Sequence, residues 1–187
     1  DFIKNKNINE WTNNSEELLR IIGDNRSYWI YISKLKLSEN FINKFKNKLC
    51  WLKICKYQLL SEKLLNDNIN KLYWDYIVIY QKLSEKFIRK NQNFFCKVHW
   101  MDISKYQKLS ENFIEEFNEL VDWPIISEYQ KLSEKFIIRN LDKQICWISI
   151  CKYQNLSENF IIKFKDKIWK KHIFGYQILS KKLINNF

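Results

Sequence analysis

The sequence predicts an all-α fold, an α-solenoid of short antiparallel helix pairs with a period of about 23 residues. Three observations predict it. Tryptophans at 11, 29, 51, 74, 100, 123, 147 and 169 run beside serines at 15, 38, 61, 84, 110, 133, 157 and 180, and most steps are 22 to 24 residues. After each serine the apolar residues fall at helical spacing. The chain holds only 2 Gly and 1 Pro, too few for the turns of a hairpin-built β-fold.

The repeat reads W-x-x-I-S-x-Y-Q-x-L-S-E-x-F-I-x-x-F, clearest from Trp100 to Phe117. Its second half is the plainer helix. Apolar residues stand three, four and seven places after the serine, as in Phe41, Ile42 and Phe45, or Phe113, Ile114 and Phe117, which is one face of a helix. The serine sits at the N-cap, where its hydroxyl accepts from a first-turn N–H. The following Glu (39, 62, 85, 111, 134 and 158) favours the positive end of the helix dipole. The preceding Leu is placed to staple onto the first turn. Lys181 replaces that Glu in the last copy.

The first half predicts a second, shorter helix, with Trp, the Ile at +3 and the Tyr at +6 keeping one side apolar. Asp122 caps one copy, and Pro124 falls in its first turn. Helices of about 8–10 residues do not stand alone, so each repeat must stack on its neighbours. The Trp column is expected as the core wedge between repeats. Leucine-rich repeats share the period, but their L-x-x-L-x-L-x-x-N/C ladder is missing.

As a single array over 1–187, the chain divides into a partial repeat 1–10, a compressed repeat 11–28, and repeats 29–50, 51–73, 74–99, 100–122, 123–146, 147–168 and 169–187. Phe2 and Ile3 fit the F-I step of an earlier repeat, and Phe187 stops inside another. The expectation is a piece of a longer array. Three places break the pattern: Trp11–Ser15, an insertion around Asn91–Phe95, and His172–Gly175.

Lys plus Arg is 32 against 21 Asp plus Glu, a net charge of +11. The chain has no Ala and is crowded with Asn, Lys, Ile, Phe and Tyr, residues with AT-rich codons. Codon bias alone raises Lys, so the charge is weak evidence for an anionic partner. The 46% hydrophobic content argues against disorder. No run of about 18 apolar residues predicts a membrane span. The repeat resembles those of tandem-repeat proteins of giant DNA viruses and similar AT-rich genomes. The resemblance covers nearly the whole chain. It implies a viral or virus-like origin and carries over no activity.

Cys50–Cys55 and Cys146–Cys151 have C-x4-C spacing, and Cys96 stands alone. Five residues on a helix turn about 140°, a poor chelating geometry, and zinc needs further ligands. The expectation is structural thiols, no metal and no cofactor, in a reducing compartment, the host cytoplasm for a virus. His99 and His172 occupy different columns. No catalytic constellation emerges, and the repeated Ser-Glu reads as a cap, so no enzyme is expected.

The candidate binding residues are columns. Gln58, Gln81, Gln107, Gln130 and Gln154 form a ladder that either satisfies backbone groups or offers a polar stripe to a partner. Lys34, Lys56, Lys105 and Lys152 form a basic column beside it. Lys163, Lys165, Lys167, Lys170, Lys171, Lys181 and Lys182 make the strongest basic patch, a candidate nucleic-acid site. The acidic repeat holding Asp102, Glu111, Glu115, Glu116, Glu119 and Asp122 would break a continuous phosphate track. The leading expectation is a non-enzymatic scaffold for a protein partner, and the alternative is nucleic-acid binding.

Overall fold

The computed structural model describes residues 8–12, 15–181 and 184. Among the described residues the fold is all-helical, an α-solenoid of short helix pairs. Phe2, Ile3, Lys182 and Phe187 lie outside the described residues. The chain forms two compact bodies, residues 1–94 and 95–187. Their boundary falls at the insertion around Asn91–Phe95.

The N-terminal body holds α1 (Ser15–Ile22), α2 (Arg26–Ile32), α3 (Glu39–Phe45), α4 (Trp51–Tyr57), α5 (Glu62–Asp67), α6 (Trp74–Tyr80) and α7 (Glu85–Asn91). The C-terminal body holds α8 (Lys97–Tyr106), α9 (Glu111–Glu116), α10 (Trp123–Tyr129), α11 (Glu134–Arg139), α12 (Trp147–Tyr153), α13 (Glu158–Lys163) and α14 (Lys170–Tyr176). Most helices run six or seven residues, shorter than the sequence suggests. In the N-terminal body α4 packs on α6; in the C-terminal body α8, α10, α12 and α14 stack in series.

Both predicted start signals form. Ser38, Ser61, Ser84, Ser110, Ser133 and Ser157 cap their helices, each hydroxyl accepting from the N–H three residues on at 3.1–3.2 Å. The Asp122 carboxylate accepts from the Ile125 N–H at 3.0 Å, with Pro124 in the first turn of α10. Gly23 takes φ +52° after α1, a backbone setting that glycine adopts without strain.

The tryptophans reach back to the preceding repeat and also join the two helices of their own. The indole N–H groups of Trp51 and Trp123 donate to the carbonyls of Lys46 and Asn118 at 2.7 and 3.0 Å, and Phe95 meets Trp100 edge-on at 6.0 Å. Within a repeat the rings pack between its two helices. Trp100 lies 5.0 Å from Phe117, Trp147 5.4 Å from Phe164, and Trp29 5.3 Å from Phe45, centroid to centroid. Trp169 is not a wedge at all: it is 65% exposed. An extra residue separates it from its Ile (Ile173 stands at +4 instead of +3), which turns the indole off the inner face. The +7 position also differs from the apolar expectation. Asn68, Asn91 and Asn140 are buried there, each Nδ2 donating to the carbonyl four residues back at 2.9 Å.

Candidate partner-binding ridge

Joints between repeats consume most of the recurring polar residues. In copies with serine at +4, the hydroxyl donates to the carbonyl of its own Trp and accepts from the N–H just before the next Trp. Ser33, Ser104 and Ser127 receive Cys50, Asp122 and Cys146 in this way, at 2.9–3.1 Å. Cys55 substitutes for it, its Sγ lying 3.5 Å from the Tyr73 nitrogen.

The glutamines reach back one repeat. Gln130 Oε1 accepts from the Leu109 N–H at 3.1 Å, and its Nε2 donates to the carbonyls of Ser104 and Gln107, both at 2.8 Å. Gln58, Gln81 and Gln154 make the same three bonds to their own preceding repeats. Gln107 is buried like them, and the five lie between 3% and 6% exposed. Of the two readings of Gln58, Gln81, Gln107, Gln130 and Gln154, the partner-facing stripe is therefore corrected and the backbone-satisfying ladder holds. These amides are internal and satisfy backbone groups that would otherwise be orphaned.

The Glu column stands in the first turns as expected and does a second job. Glu39 bridges the next repeat, accepting from the Ser61 N–H at 2.6 Å and the Ser61 hydroxyl at 2.9 Å. Glu62 holds Ser84, Glu111 holds Ser133, Glu134 holds Ser157 and Glu158 holds Ser180 in the same way.

What these joints leave outside, in each body by itself, is a ridge of tyrosines at the ends of the first helices. Tyr57, Tyr80, Tyr106, Tyr129, Tyr153 and Tyr176 are all 44–53% exposed, although their position read as part of the apolar side. Lysines are clamped between pairs of them. Lys105 Nζ lies 5.1 Å from the ring centroids of both Tyr106 and Tyr129. Lys152 lies 4.8 Å from Tyr153 and 5.4 Å from Tyr176. In the N-terminal body Lys56 lies 5.5 Å from Tyr57 and 5.8 Å from Tyr80. The ring faces attract the ammonium groups. Hydrogen bonding to Tyr106 holds Lys105 above the ordinary lysine pKa, and hydrogen bonding to Tyr153 does the same for Lys152. Lys34 is exposed in the same column. Ile79, Glu128 and Gly175 occupy the intervening positions, so a clamped lysine recurs at every second repeat.

The C-terminal patch is exposed at Lys163, Lys165, Lys167, Lys170, Lys171 and Lys181. Lys171 sits 5.0 Å from the Trp169 ring, Lys167 5.8 Å from Trp147, and Lys170 5.4 Å from Phe174. A cavity of about 270 Å³ lies between Trp147 and Trp169, with Cys151, Lys167 and His172 on its walls. Elsewhere along the connectors the lysines are engaged. Lys48 pairs with Asp24, Lys71 with Asn47 at 2.6 Å, and Lys143 with Glu119 at 3.1 Å.

The thiols separate by position. Cys55 and Cys151 are buried, and burial pushes each thiol up to about 11. Cys50 and Cys146 are half-buried at the N-cap positions of α4 and α12. Cys96 is exposed, with its Sγ 3.4 Å from His99 Nδ1. That nitrogen also accepts from the Cys96 N–H at 3.1 Å, so the imidazole serves as a cap. Among the described residues no three His, Cys, Asp or Glu side chains gather to hold a metal, and no helix is long and apolar enough to cross a membrane. No family model, curated protein or solved structure matches the chain.

Proposed function

We propose that the chain is a non-enzymatic tandem-repeat scaffold that binds a protein partner through the tyrosine ridge of its C-terminal body. One observation carries the reading. Trp, Ile, Ser, Gln, Leu, Glu and Phe of the repeat are engaged in core and joints, whereas the recurring Tyr stays half-exposed. Tyrosine offers a large, rigid, amphipathic contact at small entropic loss, and it is enriched where proteins bind one another. Helical solenoids present such surfaces along their length. The five free thiols and the viral resemblance favour a reducing compartment, the host cytoplasm, as the place of that encounter.

The test is capture of partners by the full chain beside a Tyr106→Ser, Tyr129→Ser, Tyr153→Ser variant that keeps its helical spectrum. The scaffold reading expects a defined partner, retained between about 50 and 200 mM salt and lost with the tyrosines. Capture untouched by the triple substitution refutes it.

The nucleic-acid alternative draws on the C-terminal patch, where exposed Trp169 and the lysines around it join an aromatic face to cations, the combination used by single-strand binders. Oligonucleotide titration at about 50 and 200 mM salt separates the two readings, because phosphate contacts weaken steeply with salt. No binding at either salt removes the alternative.

A further inference from the structure

We propose that the ridge of the C-terminal body takes an extended peptide segment with two acidic side chains about six residues apart and a basic or neutral one midway. This rests on the ridge being a protein-binding surface and adds the chemistry of its partner. The ridge passes in order through Lys105 with Tyr106, Glu128 with Tyr129, and Lys152 with Tyr153 and Tyr176. Its charges therefore read plus, minus, plus, with the two lysines held between rings. Glu128 stands one residue before Tyr129, the position that Lys105 and Lys152 hold in their own repeats, and its charge acts on Lys152. Exposed Lys108 and Lys131 lie just beyond the helix ends, and Asp102 lies one turn earlier on α8.

The spacing fixes the partner's register. Packed helices sit about 8–10 Å apart, so Lys105 and Lys152, two repeats apart, are separated by about 16–20 Å. A polyproline II segment rises about 3.1 Å per residue with three residues per turn, so the same span takes about six residues, and the first, fourth and seventh side chains share the face toward the ridge, with Glu128 opposite the fourth. The tyrosine rings flank both lysines and hold them without neutralising them. They also supply apolar contact for the side chains between the charges. A carboxylate set against Glu128 meets a like charge, and discrimination of this kind is negative design at one repeat in the series.

The experiment uses the full chain and two labelled peptides, Glu-Leu-Ser-Lys-Leu-Ser-Glu and Glu-Leu-Ser-Glu-Leu-Ser-Glu, titrated by fluorescence anisotropy. On a protein of net charge +11, undirected attraction favours the second, more acidic peptide. The proposal expects the first to bind more tightly by about three- to tenfold, the scale of exposed charge pairs, and Glu128→Lys to reverse the order. Equal binding, or tighter binding of the more acidic peptide by the unaltered chain, overturns the charge register. If the Tyr106→Ser, Tyr129→Ser, Tyr153→Ser variant then weakens both peptides alike, the scaffold reading stands without it. Absence of measurable binding by either peptide at millimolar concentration also overturns the proposal, while the scaffold reading is still decided by partner capture.

Discussion

Replacing Gln130 with leucine tests the joint between the repeats of α8 and α10. The substitution nearly preserves volume, so cavity formation contributes little. It removes three hydrogen bonds to the preceding repeat, from the Leu109 N–H and to the carbonyls of Ser104 and Gln107. Gln130 is only 6% exposed, so those backbone groups lose their partner away from solvent. Each buried group left unsatisfied costs about 1–3 kcal/mol. Relaxation and water entry at the helix ends pull the sum toward its lower half, about 3–6 kcal/mol. Because repeat stability is a sum of nearest-neighbour terms, the loss is confined to one joint. Urea unfolding followed by far-UV dichroism should show the reduced stability, and hydrogen exchange should show the Leu109 amide losing protection while the Leu132 amide, held by Gln154, keeps it. A variant within about 0.5 kcal/mol of the parent, with Leu109 still protected, refutes the assignment of the glutamines to the joints.

Trp100→Ala should destabilise the protein by about 3–5 kcal/mol, as for other buried large-to-small changes, whereas Trp169→Ala should fall within about 0.5 kcal/mol; denaturant midpoints compare them directly, and equal losses would contradict the exposure of Trp169. Glu111→Ala removes both bonds to Ser133 on an exposed edge and should lower stability by about 1 kcal/mol, read as a shift in melting temperature. Cys55 and Cys151 predict an alkaline loss of stability. Each unfolded thiol ionises near the ordinary value of 9.0 and each folded thiol near about 11, so between those values the unfolded chain binds fewer protons and stability falls as pH rises. The loss should reach about 1–3 kcal/mol per thiol by pH 11, and Cys55→Ser with Cys151→Ser should flatten that limb of the stability curve.

The helix pairs and their serine caps were legible because they depend on residues three and four apart. The Gln assignment was legible in principle. Trp100, Ile103, Ser104 and Gln107 stand at 0, +3, +4 and +7, one face of a helix, and all four are buried. Tyr106, at +6, falls off that face, so counting it among the apolar positions pointed the wrong residue inward. The habit of placing an aromatic inside overrode the geometry for the tyrosine, whereas for the glutamines one of the two readings already had them satisfying backbone groups. The Glu–Ser bridges were less visible, since they join residues 22 or 23 positions apart, and a glutamate in a first turn already has a local explanation. The tyrosine clamps needed the same knowledge of which faces meet. Their sequence trace is the alternation of Lys56, Lys105 and Lys152 with Ile79, Glu128 and Gly175.

The joints also have a heredity. A repeat presents glutamine and a capping serine toward its predecessor, and bare carbonyls and a glutamate toward its successor. The two sides are complementary and never alike. A stretch of gene one period long therefore encodes a part that already matches whatever stands before and after it. Unequal crossing-over can add or remove such parts without leaving an unmet hydrogen bond at the new seam, so the length of the ridge, and with it the reach of the partner it measures, is free to change faster than the fold.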